Sequence, residues 1–146
     1  MKVSTMAEMM AAGTKPEVLF WVGCAGSFDQ RAQKITKAFA TILDKAGVVY
    51  AILGKEEACT GDPARRAGNE FMFQMMAYQN IQVMNAYEIK KIVTTCPHCF
   101  NTLKNEYPAL GGNYDVIHHT QFLQELIEHG KIKISDSNEW KGKTIT

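Results

Sequence analysis

Three apolar runs stand out along the chain: Val18-Leu19-Phe20-Trp21-Val22, Val48-Val49-Tyr50-Ala51-Ile52-Leu53 and the stretch Lys90 to Thr94. A fourth, Tyr114-Asp115-Val116-Ile117-His118, is weaker. Continuous apolar runs of this length fit central parallel strands covered on both faces. The intervening segments carry a helical period. Ile35, Phe39, Ile42, Leu43 and Ala46 predict a helix from about Asp29 to Ala46, stopped by Gly47. Asp62-Pro63 supplies an N-cap and a first-turn proline for a long helix running to about Ala86, with Gly68 its weak point. Phe71, Met72, Met75, Met76, Val83 and Met84 read as its core stripe, ahead of a methionine-rich partner surface.

Pro97 to about Glu106 is the third long helix, closed by Tyr107-Pro108, and Gly111-Gly112-Asn113 is a turn. Thr120 caps a last helix through His129, which Gly130 stops. Gly23 to Ser27 reads as a small-residue loop, Met6 to Ala11 as a short helix, and Ile132-Lys133-Ile134 as an edge strand. Strands alternating with helices predict an α/β fold: an open, mostly parallel four-strand sheet with helices on both faces, Rossmann-like, with an extra edge strand. Residues 1–146 form one domain in this reading, with 1–16 an appendage and 131–146 a tail. The tail ends on residues that look like the start of another strand, as in a piece of a longer protein.

Composition excludes more than it selects. The 146 residues are 46% apolar and 21% charged, ordinary for a globular protein, with a net charge of +1. That balance gives no reason to expect nucleic acid or an anionic membrane as partner. No apolar run approaches the ~18 residues of a membrane span, and the N-terminus lacks the pattern of a signal peptide. Four cysteines in such a chain point to a reducing compartment, the cytoplasm by default, where metal binding or thiol redox chemistry is expected rather than a disulfide framework.

The fold reading gathers the chemistry at one edge. In an open parallel sheet ligands bind beyond the carboxyl ends of the strands. Cys24 follows the first strand, Cys59 lies after the second, and Cys96 and Cys99 after the third. His118 and His119 end the fourth and are candidates for hydrogen bonds around the site. The Cys96-Pro97-His98-Cys99 stretch places two sulfurs at a helix start, where N–H groups favour anionic sulfur. Alone it is a thioredoxin-type pair, half a zinc site or part of an iron–sulfur site. Four thiolates suit tetrahedral zinc or an iron–sulfur cluster, and two single ligands separated by whole crossovers favour the larger group. Cys59 to Arg65 also satisfies Cys-x5-Arg, but Pro63 and Asp62 spoil a phosphate cradle there. Arg65 and Arg66 sit in an unfavourable first turn and need Asp62, Glu56 or Glu57 as partners, or else face the cluster.

Cys24, 34 residues, Cys59, 36 residues, Cys96-x-x-Cys99 resembles the cysteine-rich CCG domain of heterodisulfide reductases and related iron–sulfur oxidoreductases. The supporting phrases are Gly23-Cys24-Ala25-Gly26, Cys59-Thr60-Gly61-Asp62-Pro63-Ala64-Arg65-Arg66, Thr95-Cys96-Pro97-His98-Cys99-Phe100-Asn101 and His118-His119-Thr120. The resemblance implies a cluster held by Cys24, Cys59, Cys96 and Cys99, in the first copy of a usually duplicated domain. It also implies electron transfer with other redox subunits: a second CCG copy and a ferredoxin-like or flavin-containing partner. The family often has two adjacent cysteines at the middle position and then five thiolates for a noncubane cluster. Here that pair reads Ala58-Cys59, so the expectation is an ordinary [4Fe-4S] centre, with structural zinc and a thiol/disulfide module as the alternatives.

Overall fold

The computed structural model describes residues 3–135 and 142. Its centre is an all-parallel sheet of β1 (Val18–Trp21), β2 (Tyr50–Ala51), β3 (Lys91–Thr94) and β4 (Asp115–His118), in the order β2-β1-β3-β4. Leu19 pairs with Ala51 on one side and Ile92 on the other, and Thr94 pairs with both Trp21 and His118. The predicted α/β, parallel, Rossmann-like architecture is what forms.

Period-two alternation divides β1 between two cores. Val18 and Phe20 pack against α3 (Gln30–Lys45) and α7 (His119–Glu128), through Phe39, Ala40, Leu43, Phe122 and Leu126. Leu19 and Trp21 face α5 (Glu70–Ala86), through Phe73, Ala77, Ile81 and Met84. That second face also receives Cys99 of α6 (Pro97–Asn101), which runs on through a π turn, Thr102–Glu106, that supplies Leu103, into a 3-10 turn, Tyr107–Leu110, that supplies Tyr107. Each fully buried large side chain contributes roughly 1.5–3 kcal/mol.

Several predicted elements differ. Gly23 to Ser27 is no loop but most of a short helix, α2 (Gly23–Phe28), because a distant carboxylate satisfies its first N–H groups. The expected helix from Asp62 to Ala86 is two, α4 (Asp62–Arg66) and α5. Gly68 turns at φ +83°, and the Asn69 side chain accepts from the Met72 N–H at 3.0 Å to start the second. Phe71, Met72 and Met75 point outward instead of forming the core stripe; Phe71 is 77% exposed. Helix α5 is apolar on nearly every side, so its periodicity does not choose the buried face.

β2 is shorter than its apolar run, and Ile52 instead bridges Thr5 in parallel. That bridge draws in α1 (Met6–Ala11), whose Met6 and Met9 are buried in the α5-side core; the segment read as an appendage is packed. Residues 132–134 form no strand: Ile132 packs against the α3/α7 core and Ile134 is exposed. Most of the expected tail strand, 141–146, lies outside the described residues.

Candidate metal centre

The connections leaving β1 on its two sides run to opposite faces of the sheet. The chain passes from β1 outward to β2 and then returns across to β3, so the switch point lies between β1 and β3. Cys24 in α2 follows β1, and Cys96 and Cys99 follow β3, so three thiols arise from the two strands that flank this point. Cys59 arrives from the loop after β2. Together with Gly23, Ala25, Thr60, Asp62, Pro63 and His98, all four cysteines line one mostly apolar cleft of about 340 Å³. All four are free thiols; Cys24 is exposed, Cys59 and Cys96 half-buried and Cys99 buried. Among the described residues no three Cys, His, Asp or Glu side chains are drawn together as a single-ion cage.

The backbone is shaped around the sulfurs. Gly23 has φ +77°, and a Cβ there would stand 3.3 Å from Cys99 Sγ. Only glycine combines that conformation with that approach. Cys96 is the N-cap of α6 and Pro97 follows at its first position. The Cys99 thiol hydrogen-bonds Cys96, and the N–H groups of Cys99 and His98 add to this, so Cys96 is shifted well toward thiolate against the cost of its burial. The same hydrogen bond, with burial, pushes Cys99 up and keeps its proton on it. The Gly61 N–H lies 3.5 Å from Cys59 Sγ.

Four residues to which the sequence pattern gave no role at the thiols hold this arrangement. Glu57 accepts from the N–H groups of Val22 at 3.0 Å and Gly23 at 2.6 Å, tying the Cys59 loop to the start of α2. Burial pushes its carboxyl up to about 7, against the lowering effect of those two donors. Asn80, fully buried in α5, donates to the Cys59 carbonyl at 2.9 Å and the Tyr107 hydroxyl at 3.1 Å, and its oxygen accepts from the Ala58 N–H at 3.3 Å. Tyr107, also fully buried, donates to the Thr60 carbonyl at 3.0 Å. Asp62 joins α4 to α6, its Oδ2 lying 3.1 Å from His98 Nδ1. A buried Asn inside an apolar helix was the one legible hint, since buried polar groups demand partners.

The other candidates separate. His118 Nε2 donates to the Thr95 carbonyl at 3.2 Å, which leaves Nδ1 to accept from Thr120 Oγ1 at 2.9 Å. It thereby braces the turn before Cys96. His119 instead packs edge-on to Phe39 on the far face, 5.8 Å between ring centroids, away from the thiols. Arg65 pairs with Glu106 and Glu70, and Arg66 with Asp62 and Glu106; of the expected partners only Asp62 is used. Ala58 lines a neighbouring cleft of about 540 Å³, which shares Gly23, Cys24 and Cys59 with the thiol cleft.

The donor set fits a thiolate-bound iron–sulfur group: four soft sulfurs on one apolar cleft, with N–H groups and a glycine surface against them. Relatives share this segment. The EtfAB:quinone oxidoreductase of Syntrophomonas wolfei is 48% identical over 123 residues, covering 84% of this chain and 17% of its own. The probable iron-sulfur-binding oxidoreductase FadF of Bacillus subtilis is 48% identical over 132 residues, covering 90% and 19%. A component of the dihydromethanophenazine:CoB--CoM heterodisulfide reductase of Methanosarcina barkeri is 35% identical over 143 residues, covering 90% and 32%. The chain thus spans about a sixth to a third of the length of these relatives. No solved structure matches it. The family model of the CCG cysteine-rich domain matches residues 18–104, the stretch that delivers all four thiols, and the chain belongs to that family.

Proposed function

We propose that this chain is an iron–sulfur electron-transfer domain of a heterodisulfide-reductase-like oxidoreductase, with Cys24, Cys59, Cys96 and Cys99 holding a [4Fe-4S] cluster. The observation that carries this reading is the convergence of four free thiols from three separate strand-to-helix connections on one cleft. When bound, the cluster would accept and release single electrons. The chain's own residues prepare for that. The Cys99 thiol and, after it, the α6 N–H groups hold Cys96 toward its thiolate, Gly23 lets the backbone approach sulfur, and the apolar lining limits water at the site. Delivery of the four thiols from three separate strand-to-helix connections favours the larger cluster over the zinc alternative.

The names that the relatives carry, a quinone oxidoreductase and a heterodisulfide reductase component, support a place in a larger redox assembly. Other redox domains would be the partners: a second CCG copy and a ferredoxin-like or flavin-containing one. No described helix is long and apolar enough to cross a membrane, and the cytoplasm is the proposed location.

Iron, sulfide and zinc analysis of protein reconstituted without oxygen tests the proposal. The expected result is about four irons and four sulfides per chain with visible absorption, both lost in Cys59→Ser and Cys96→Ser. One zinc and no iron under cluster-supplying conditions would select structural zinc. No metal, with thiol exchange intact, would select the dithiol module.

A further inference from the structure

We propose that Asp62 is a charge that sets the reduction potential of the thiol site, opposed by Arg66. This rests on the iron–sulfur reading above. Among the described residues Asp62 is the only carboxylate lining the four-thiol cleft, and it is 7% exposed. A buried carboxylate needs partners, and this one has three. Its Oδ2 meets His98 Nδ1 at 3.1 Å; its Oδ1 accepts from the Thr102 hydroxyl at 3.3 Å and pairs with Arg66 Nε at 3.3 Å. Asp62 therefore joins the loop that carries Cys59 to the helix that carries Cys96 and Cys99, and it places a charge against the cleft wall while doing so.

The consequence is electrostatic. Reduction adds negative charge to a site already lined by thiolates, in surroundings of low dielectric. A fixed carboxylate beside it disfavours the reduced state and lowers the potential. The Arg66 guanidinium, shared between Asp62 and Glu106, works the other way. Burial keeps the Asp62 side of this balance from being screened by salt. Local charge and hydrogen bonding are among the levers by which proteins tune clusters of one type.

Two substitutions test the sign. Asp62→Asn keeps the shape and the acceptor for Thr102 but removes the charge; Arg66→Gln removes the opposing cation. Redox titration of the anaerobically reconstituted chain, followed by visible absorption and by the electron paramagnetic resonance of the reduced form, is the measurement. The expected result is a potential above wild type for Asp62→Asn and below wild type for Arg66→Gln, with the first shift persisting at high ionic strength. Mere loosening of the α4–α6 contact would lower iron content in both and give no pair of opposite shifts. Unchanged potentials, or shifts of the same sign, overturn the inference while the iron–sulfur reading stands. If Asp62→Asn takes up no cluster, the sign for Arg66→Gln decides: downward supports it, unchanged or upward overturns it. A wild-type chain that binds no iron overturns both.

Discussion

The two faces of the sheet are built from the same secondary structure and differ in what they bury. On the α3/α7 face, Val18, Phe20 and Val93 meet Phe39, Leu43, Phe122 and Leu126, and the Phe20 and Phe39 rings stand edge to face at 5.1 Å. On the α5 face the apolar packing is interrupted by Asn80, Thr60, Thr102, Asp62 and the Tyr107 hydroxyl. Buried polar groups are costly unless satisfied, and those of Asn80, Tyr107 and Asp62 are spent on the backbone and side chains around the cysteines. One face supplies stability alone, while the other gives some of it up to hold a site.

Substitutions can break that comparison. Phe39→Ala should have the largest effect on folding, a loss of about 4 kcal/mol in denaturant unfolding, because it opens a cavity against Phe20 and His119. The protein that remains folded should still load iron to the wild-type level; a loss of iron per folded chain would mean that the faces are not independent. Asn80→Leu should cost less, about 3 kcal/mol, by orphaning the Ala58 N–H and the Cys59 carbonyl. It should nevertheless reduce iron retention, measured after gel filtration. Equal retention in the two variants would remove the distinction.

The smallest effect sharpens the comparison through pH. His119 lies on the apolar face with a buried Nδ1 that has no partner, and burial together with His118 lowers its pKa from 6.5. The folded state then binds fewer protons than the unfolded state, so the His119 contribution is present above pH 6.5 and lost as pH falls through and below it. His119→Phe should remove that penalty. Its unfolding free energy relative to wild type should rise as pH is lowered from about 7.5 to 5 in urea titrations. A constant difference across that range would show that His119 does not titrate on folding.

Much of this organisation was legible in the residues. An uninterrupted apolar run marks β1, the shorter Ile92-Val93 core marks β3, and the spacing of the cysteines relative to those strands places them at one edge. What escaped was nonlocal. Gly23 to Ser27 is a poor helix by propensity and forms because Glu57, 34 residues along the chain, receives its N–H group. The inward side of α5 is fixed by Asn80 reaching the Cys59 loop, a choice that a segment with apolar residues on several sides cannot announce. Met6 and Met9 entered the core only because Ile52 had an open backbone edge to offer.

The pairing of β1 with β3 also fixes an order of events. Leu19 meets Ile92 across 73 positions of chain, after β2 and both helices of the crossover have been laid down. Closing so long a loop is slow compared with forming any one helix. Until it closes, Cys24 and the Cys96–Cys99 pair belong to separate pieces of polypeptide, so a cluster held by them as proposed would not nucleate this fold in the way zinc nucleates a zinc finger. On the proposed iron–sulfur reading folding would come first and loading second, with the exposed thiol of Cys24 the first point of contact for an incoming cluster.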